Sequence, residues 1–144
     1  MKRFLLFGVV LVLALSGTRC EREDAVLNCS CAAPDAEYNI SLPYRQVNIA
    51  YQCCDNKIAL KFNTLLQDSR CPLNATCAWQ GTAIIGVSIN DEKNLIALEL
   101  NKPIERDIMT FKWRIELTEL TPIPEVDQPN DPNNYVARIK LTKI

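Results

Sequence analysis

The feature that most constrains the fold is the alternation of apolar and polar residues in MTFKWRIELT, residues 109–118. Successive side chains of a β-strand point to opposite faces, so this pattern predicts a strand with one face against a core and the other in solvent. Its predicted inward face comprises Met109, Phe111, Trp113, Ile115 and Leu117. No segment outside the first twenty residues shows a convincing 3.6-residue period, which predicts an all-β chain.

Five further segments have the pattern of short strands. They are RQVNIAYQ, KIALKFNTLL, TAIIGVSIN, NLIALEL and YVARIKLTKI. The residues predicted to face inward are Val47, Ile49 and Tyr51; Ile58, Leu60 and Phe62; Ala83, Ile85, Val87 and Ile89; and Tyr135, Ala137, Ile139 and Leu141. Short strands with one apolar face pair into two packed sheets. We therefore expect one domain, residues 38–144, folded as an immunoglobulin-like β-sandwich of about seven strands, with a small β-barrel as the alternative.

The N-terminus has the organisation of a signal peptide. Lys2 and Arg3 precede an apolar run from Phe4 to Leu15. That run is shorter than the roughly 20 apolar residues that a membrane-spanning helix needs. Residues 1–19 are therefore predicted to be a signal peptide that directs export.

Two modes of cleavage compete at the end of this signal. Cleavage before Cys20 would leave that residue as a lipid-modified N-terminus, although Arg19 is unfavourable directly before it. An ordinary signal peptidase would instead cut near Ala14-Leu15-Ser16. Lipidation of Cys20 is the preferred prediction because it leaves an even number of cysteines in the mature chain. It anchors the protein in the cell envelope, at the outer membrane on the periplasmic or surface face, through a tether at residues 20–37.

The charge of the mature chain excludes one class of partner. Cleavage before Cys20 removes three of the sixteen basic residues, which leaves thirteen against seventeen acidic residues and a net charge of −4. A mildly acidic chain has no electrostatic footprint for nucleic acid. The expected partners are the membrane, through the lipid anchor, and a protein or a glycan.

The seven cysteines predict disulfides, because an exported chain enters an oxidising compartment. Cys71 and Cys77 are the easiest pair, since Pro72 and Asn74 favour a turn between them. The other four, Cys29, Cys31, Cys53 and Cys54, allow three pairings that the sequence leaves open, and a bridge from the tether to the domain is the simplest solution. The alternative is a metal-handling protein whose unpaired thiols bind zinc or cuprous copper.

The chain has no histidine, so it lacks the commonest general base and the commonest metal ligand. We expect no catalytic residue, no resident metal and no cofactor.

The segment LKFNTLLQDSRCPLNATCAWQGTAIIGVSI resembles a family of small, uncharacterised bacterial envelope lipoproteins. The matching residues are Asp68, Ser69, Arg70, Cys71, Pro72, Cys77, Trp79 and Gly81, followed later by Leu120, Pro122 and Pro124. The resemblance covers roughly residues 38–144 and implies an envelope lipoprotein without an assigned activity.

The motif residues also have individual physical interpretations. Trp79 is expected to pack on the Cys71–Cys77 disulfide or to cap the core, with a surface platform for a sugar or peptide as the alternative. Asp68 and Arg70 are expected to pair with each other, or Asp68 to cap the loop through backbone amides. A bidentate contact of Arg70 with a carboxylate or sulfate ligand is the functional alternative. Gly81 is expected to permit a bulge or a close backbone approach.

Three functions follow as hypotheses. The first is a non-enzymatic binding or scaffolding sandwich that uses the loops around Cys71–Cys77 and at 121–134. The second is an inhibitor-like or ligand-capture module acting on an envelope enzyme. The third is the metal-handling protein with unpaired cysteines.

Overall fold

The computed structural model describes residues 36–53, 56–127 and 131–144. The predictions for the signal peptide, most of the tether and Cys20, Cys29, Cys31 and Cys54 lie outside the described residues. No helix among the described residues is long and apolar enough to cross a membrane.

Eight β-strands and one short 3₁₀ helix make up the described chain. The strands are β1 Glu37–Pro43, β2 Val47–Cys53, β3 Asn56–Asp68, β4 Ala83–Ile89, β5 Ile96–Glu99, β6 Ile104–Ile108, β7 Phe111–Thr121 and β8 Val136–Lys143, and the 3₁₀ helix is Pro132–Asn134. Two of the strands, β1 and β6, were not among the predicted segments.

The strands form two four-stranded antiparallel sheets, in the orders β1-β8-β7-β6 and β2-β3-β4-β5. We call them sheet A and sheet B. They pack face to face and do not close into a barrel. The predicted β-sandwich is therefore confirmed, and the alternative of a small β-barrel is wrong. Sheet A joins the first strand to the last, whereas sheet B is a meander of four consecutive strands.

The core confirms most of the predicted inward faces. All the residues named for β3, β4 and the C-terminal strand are buried, as are Trp113, Ile115 and Leu117 of β7. Phe111 is half-buried. Met109 was predicted to face inward but is exposed, because its φ of 57° places it in the turn between β6 and β7.

The predicted inward face of β2 is wrong over its first half. Val47 and Ile49 are exposed, whereas Ala50 and Tyr51 are both buried. The register between β2 and β3 shifts between Ile49 and Tyr51, which marks a β-bulge. A bulge inserts one residue and reverses the alternation beyond it, so the two halves of β2 follow different phases.

Strand register defines two opposite ends of the sandwich. At the entry end, Glu37 pairs with Thr142, and the chain passes into β1. At the other end, Pro43 pairs with Val136, next to Tyr135. Because Tyr135 contacts Asp68, the last residue of β3, this second end also carries the Cys71–Cys77 loop. We call it the stapled end.

Candidate functional site

The loop after β3 is closed by a disulfide between Cys71 and Cys77, as predicted, with Cα atoms 5.9 Å apart. Two hydrogen bonds tie it to the loop after β7. The Leu73 amide donates to the Pro124 carbonyl at 3.0 Å, and the Val126 amide donates to Asn74 Oδ1 at 2.9 Å. The two loops therefore form one connected surface, residues 71–80 with 122–126, which we call the stapled-end surface.

Asp68 and Arg70 form an internal ion pair. Arg70 Nε donates to Asp68 Oδ1 at 2.8 Å, and Arg70 Nη2 donates to Asp68 Oδ2 at 2.7 Å. The side chains are only 10% and 7% exposed, so this is a bidentate pair largely removed from water. Asp68 Oδ1 also accepts from the Arg70 amide at 3.3 Å, so both structural interpretations of Asp68, pairing and capping, are observed.

The guanidinium of Arg70 also reaches the end of β7. Its Nη1 donates to the Leu120 carbonyl, and its Nη2 donates to the Pro122 carbonyl at 2.8 Å. Four of its five N–H groups are thus engaged within the domain. β6 pairs with β7 only as far as Ile115, so Arg70 supplies donors to carbonyls beyond the reach of that strand.

Tyr135 completes the cluster by donating its hydroxyl to Asp68 Oδ2 at 2.9 Å. The sequence placed Tyr135 on an inward face, but nothing in its spacing from Asp68 indicated that the two meet. Burial raises the pKa of the Asp68 carboxyl, but the hydrogen bonds from Arg70 and Tyr135 and the charge of Arg70 outweigh it. The net pKa of Asp68 is lowered from its ordinary value of 3.8.

Backbone pairing continues beyond β3 and β4 around the motif. The Ser69 amide donates to the Thr82 carbonyl at 2.8 Å, and the Cys71 amide donates to the Gln80 carbonyl at 2.8 Å. Gly81 lies between them with a φ of 67°, and a Cβ added there would come within 1.7 Å of the Ser69 carbonyl oxygen. The close backbone approach predicted at Gly81 is therefore confirmed.

Trp79 does not have the buried position expected for it. Its side chain is 78% exposed, so it does not cap the core. The backbone is constrained on both sides of Trp79. The Cys71–Cys77 disulfide closes the loop before it, and Gly81, which lies against the Ser69 backbone, follows it. The surface platform, predicted as the alternative, is the interpretation that this exposure favours.

Trp79 is one of several exposed apolar side chains on the stapled-end surface. Leu73 is 65% exposed, and Ile123 and Val126 are also exposed. The hydrogen bonds between the loops hold Leu73 beside Pro124. In the sequence, Pro124 lies between Ile123 and Val126. These side chains are the apolar contact groups that this end of the domain offers.

A cleft of 440 Å³ lies beside this surface. Arg70, Gly81, Asn101, Glu119, Leu120 and Ile123 are among the residues that line it. Because the Arg70 guanidinium donates to Asp68, Leu120 and Pro122, only one of its five N–H groups is left. A bidentate contact with an external carboxylate or sulfate needs two N–H groups and is therefore not available in this arrangement. A ligand role for Asp68 and Arg70 stays a prediction.

The remaining cysteines bear on the metal hypothesis. Cys53, at the end of β2, is disulfide-bonded to a partner outside the described residues. Cys71 and Cys77 are joined to each other. Three thiols that a metal-handling protein would use are therefore oxidised. In the described ranges no group of three His, Cys, Asp or Glu side chains is arranged to hold a metal ion.

The fold and this site define an all-β, disulfide-stapled sandwich. Comparisons with known proteins gave no match to a family model, to a curated protein or to a solved structure.

Proposed function

We propose that this chain is an envelope-anchored lipoprotein whose β-sandwich binds a partner through the stapled-end surface without catalysing a reaction. One observation carries the proposal: Trp79 is 78% exposed although the neighbouring motif side chains are used within the domain. Asp68 and Arg70 form an ion pair with each other, and Cys71 and Cys77 form a disulfide. Trp79 is free to contact another molecule.

The rigidity of the surface supports a binding role. A loop that is ordered before binding loses less conformational entropy when the complex forms. Here the disulfide closes one loop, and the bonds Leu73–Pro124 and Asn74–Val126 join it to the second. Exposed aromatic side chains on such a base are typical anchors in protein interfaces and platforms for sugars.

The position of the surface also supports the proposal. The chain enters β1 at the entry end, and the Cys71–Cys77 loop lies at the stapled end. A lipid on Cys20 would attach the chain to the membrane upstream of β1, and the stapled end is the opposite end of the sandwich. The disulfide is consistent with an oxidising, exported environment.

An inhibitor-like module is the second candidate, and the exposure of Leu73 favours it. Leu73 is 65% exposed, next to Pro72 in the disulfide-closed loop. A rigid loop that presents an apolar side chain suits insertion into the cleft of an envelope enzyme. In this second candidate function the partner contacts Leu73, and Trp79 is a further exposed apolar side chain of the same stapled-end surface.

The test is photo-crosslinking in intact envelopes. A photoreactive residue replaces Leu73 at the stapled end or, as the matched control, Leu95, which is exposed in the turn between β4 and β5 at the entry end. We expect a discrete crosslinked partner from position 73 and none from position 95. The same crosslink should disappear when Trp79→Ala is added.

The thermal stability of each variant is measured alongside the crosslink. Loss of the crosslink with unchanged stability supports the binding surface. The absence of a crosslink at position 73, or the same crosslinks at both positions, contradicts the proposed function.

A further inference from the structure

The stapled-end surface has no basic side chain of its own. Its two segments, residues 71–80 and 122–126, contain neither lysine nor arginine. Arg70, which directly precedes the first segment, is only 10% exposed and is paired with Asp68. The exposed apolar side chains of this surface are therefore not accompanied by a positive charge from either loop.

The loop after β7 carries three carboxylates at this end of the sandwich. Glu125 lies between Pro124 and Val126, the two residues whose backbone hydrogen bonds join the loops. Asp127 follows directly, and Asp131 caps the 3₁₀ helix further along the same loop. All three side chains are exposed, and within the described ranges none of them forms an ion pair. Their charges are therefore open to a partner.

On sheet A, by contrast, several carboxylates are matched with basic side chains. Glu37 lies 2.8 Å from Lys140, and Glu105 pairs with both Lys112 and Arg114. An ion pair within the domain cancels most of the field that an approaching molecule would meet, whereas an unpaired carboxylate does not. The stapled end thus combines apolar contact groups with uncancelled negative charge.

Two basic side chains in neighbouring turns do not reverse this balance. The turn between β1 and β2 reaches the stapled end, since the Tyr44 amide donates to the Tyr135 carbonyl at 2.8 Å. Arg45 in that turn lies over the Tyr44 ring, 5.1 Å from its centroid. Lys102, in the turn after β5, is paired with Glu99 at 2.7 Å and adds no net charge. Three carboxylates against one guanidinium leave the loops of this end negative.

Trp79 favours a partner of the same charge. The face of an indole ring attracts ammonium and guanidinium groups more strongly than the other aromatic rings do. We propose that the partner of the stapled-end surface is a protein whose contact surface combines apolar side chains with lysine or arginine. One basic group would lie against Trp79, and others would meet Glu125 and Asp127. This inference rests on the proposed binding function and names the chemistry of the partner.

The same observations disfavour the other molecules of an envelope. Anionic polysaccharides and phosphate headgroups would meet Glu125 and Asp127 with charges of like sign, which is costly at an interface. A neutral glycan could stack on Trp79, but Leu73 and Val126, which are also exposed, offer it only aliphatic groups. A protein surface uses all of these groups, because interfaces commonly have an apolar centre and a charged rim.

The experiment extends the photo-crosslinking at position 73 in intact envelopes. Glu125→Lys/Asp127→Lys reverses the local charge and should lower the yield of the crosslinked species about tenfold. Glu125→Gln/Asp127→Asn, which removes the charges without reversing them, should give a smaller fall. The matched control is Glu92→Lys/Asp107→Lys, which makes the same change of net charge among exposed residues of the entry end. It should leave the yield unchanged.

The class of the crosslinked molecule is read in the same samples. Protease treatment should reduce it to a peptide that contains lysine or arginine, identified by mass spectrometry. Melting temperatures check that the variants fold, and Glu125→Gln/Asp127→Asn carries the test if the charge-reversed variant does not.

The outcomes separate this inference from the function on which it rests. An unchanged yield in Glu125→Lys/Asp127→Lys, or an equal fall in the control, overturns the basic partner and leaves the binding role standing. A higher yield would assign an acidic partner, and a protease-resistant species would assign a glycan or a lipid; both overturn the inference. The absence of any crosslink at position 73 overturns the proposed function and this inference with it.

Discussion

The Arg70 side chain donates four hydrogen bonds to three groups within the domain, and its chemistry explains how. A guanidinium is planar, permanently charged and rich in donors, so it can hold a carboxylate on one edge and carbonyls on the other. Here it joins Asp68 at the end of β3 to the carbonyls of Leu120 and Pro122 at the end of β7. One residue thereby connects the two sheets at the stapled end.

We predict that Arg70→Ala destabilises the fold by about 3 kcal/mol, because it leaves the Asp68 carboxylate buried without its charge partner. Urea denaturation measures this loss. The matched control is Arg138→Ala, which removes an exposed pair with Glu119, 3.1 Å apart, and should cost less than about 1 kcal/mol. Equal losses in the two variants would contradict a structural role for Arg70.

Asp68 predicts a specific acid sensitivity. Its pKa is lower in the folded chain than in the unfolded chain, so the unfolded state binds more protons. The carboxylate therefore contributes full stability above its unfolded pKa, and this contribution is lost as the pH falls through the folded pKa. Melting temperature measured below about pH 4 should fall less steeply in Asp68→Asn/Arg70→Met than in the wild type. Parallel curves would refute this assignment.

Tyr51 gives a prediction of opposite sign. Within the described residues its buried hydroxyl has no hydrogen-bond partner, and its ring packs 5.1 Å from that of Trp113. A buried polar group without a partner costs free energy that the unfolded chain does not lose. Tyr51→Phe keeps the ring and should be neutral or stabilising by about 1 kcal/mol, measured by thermal denaturation. A clear loss of stability would show that the hydroxyl is bonded.

The strands show how far alternation alone predicts a fold. It identified β3, β4, β7 and β8, because each has buried apolar residues at every second position over at least part of its length. It misassigned Val47 and Ile49, because a bulge is a local change of backbone that the side-chain pattern does not reveal. It missed β6, whose sequence IERDI has charged residues at its centre, as an exposed edge strand permits.

The candidate site was predictable only in part, for a related reason. Cys71 and Cys77 are close in sequence, so their pairing followed from the short loop. The contacts of Asp68 with Tyr135 and of Arg70 with Pro122 join residues more than fifty positions apart. Such contacts depend on how the sheets pack, which no local pattern contains. The prediction that Trp79 packs inward assumed an extended chain that carries it to the same face as Cys77, but the chain bends at residues 78 and 79 and Trp79 is exposed.

Gly81 offers a test of the turn that ends the motif. A methyl group at this position would meet the Ser69 backbone, and a φ of 67° is unfavourable for other residues. Gly81→Ala should therefore cost about 2 kcal/mol or more. Gly86→Ala is the comparison, since its added methyl meets the side-chain methyl of Thr64, which can move. Chemical denaturation that finds Gly86→Ala the costlier change would contradict this account.

At the scale of the whole molecule, the proposed anchor predicts the N-terminal residue of the mature chain and its modification. Intact-mass spectrometry of the membrane fraction should find a chain that begins at Cys20 and carries a lipid. Cys20→Ser should release the protein from the membrane without changing its melting temperature, because β1 begins well after that residue, at Glu37. A membrane-associated chain that retains residues 17–20 would refute lipid anchoring.

The pairing of β1 with β8 has a mechanical consequence. The strands are matched at seven positions from Glu37 to Pro43, and the chain enters at Glu37. A force pulling on the N-terminal segment, resisted by a partner at the stapled end, would act along β1 and slide it past β8. In that shear geometry all the hydrogen bonds between the strands bear load together instead of parting one after another. If the proposed anchor and partner act at these two ends, the pairing of β1 with β8 would therefore resist tension between them.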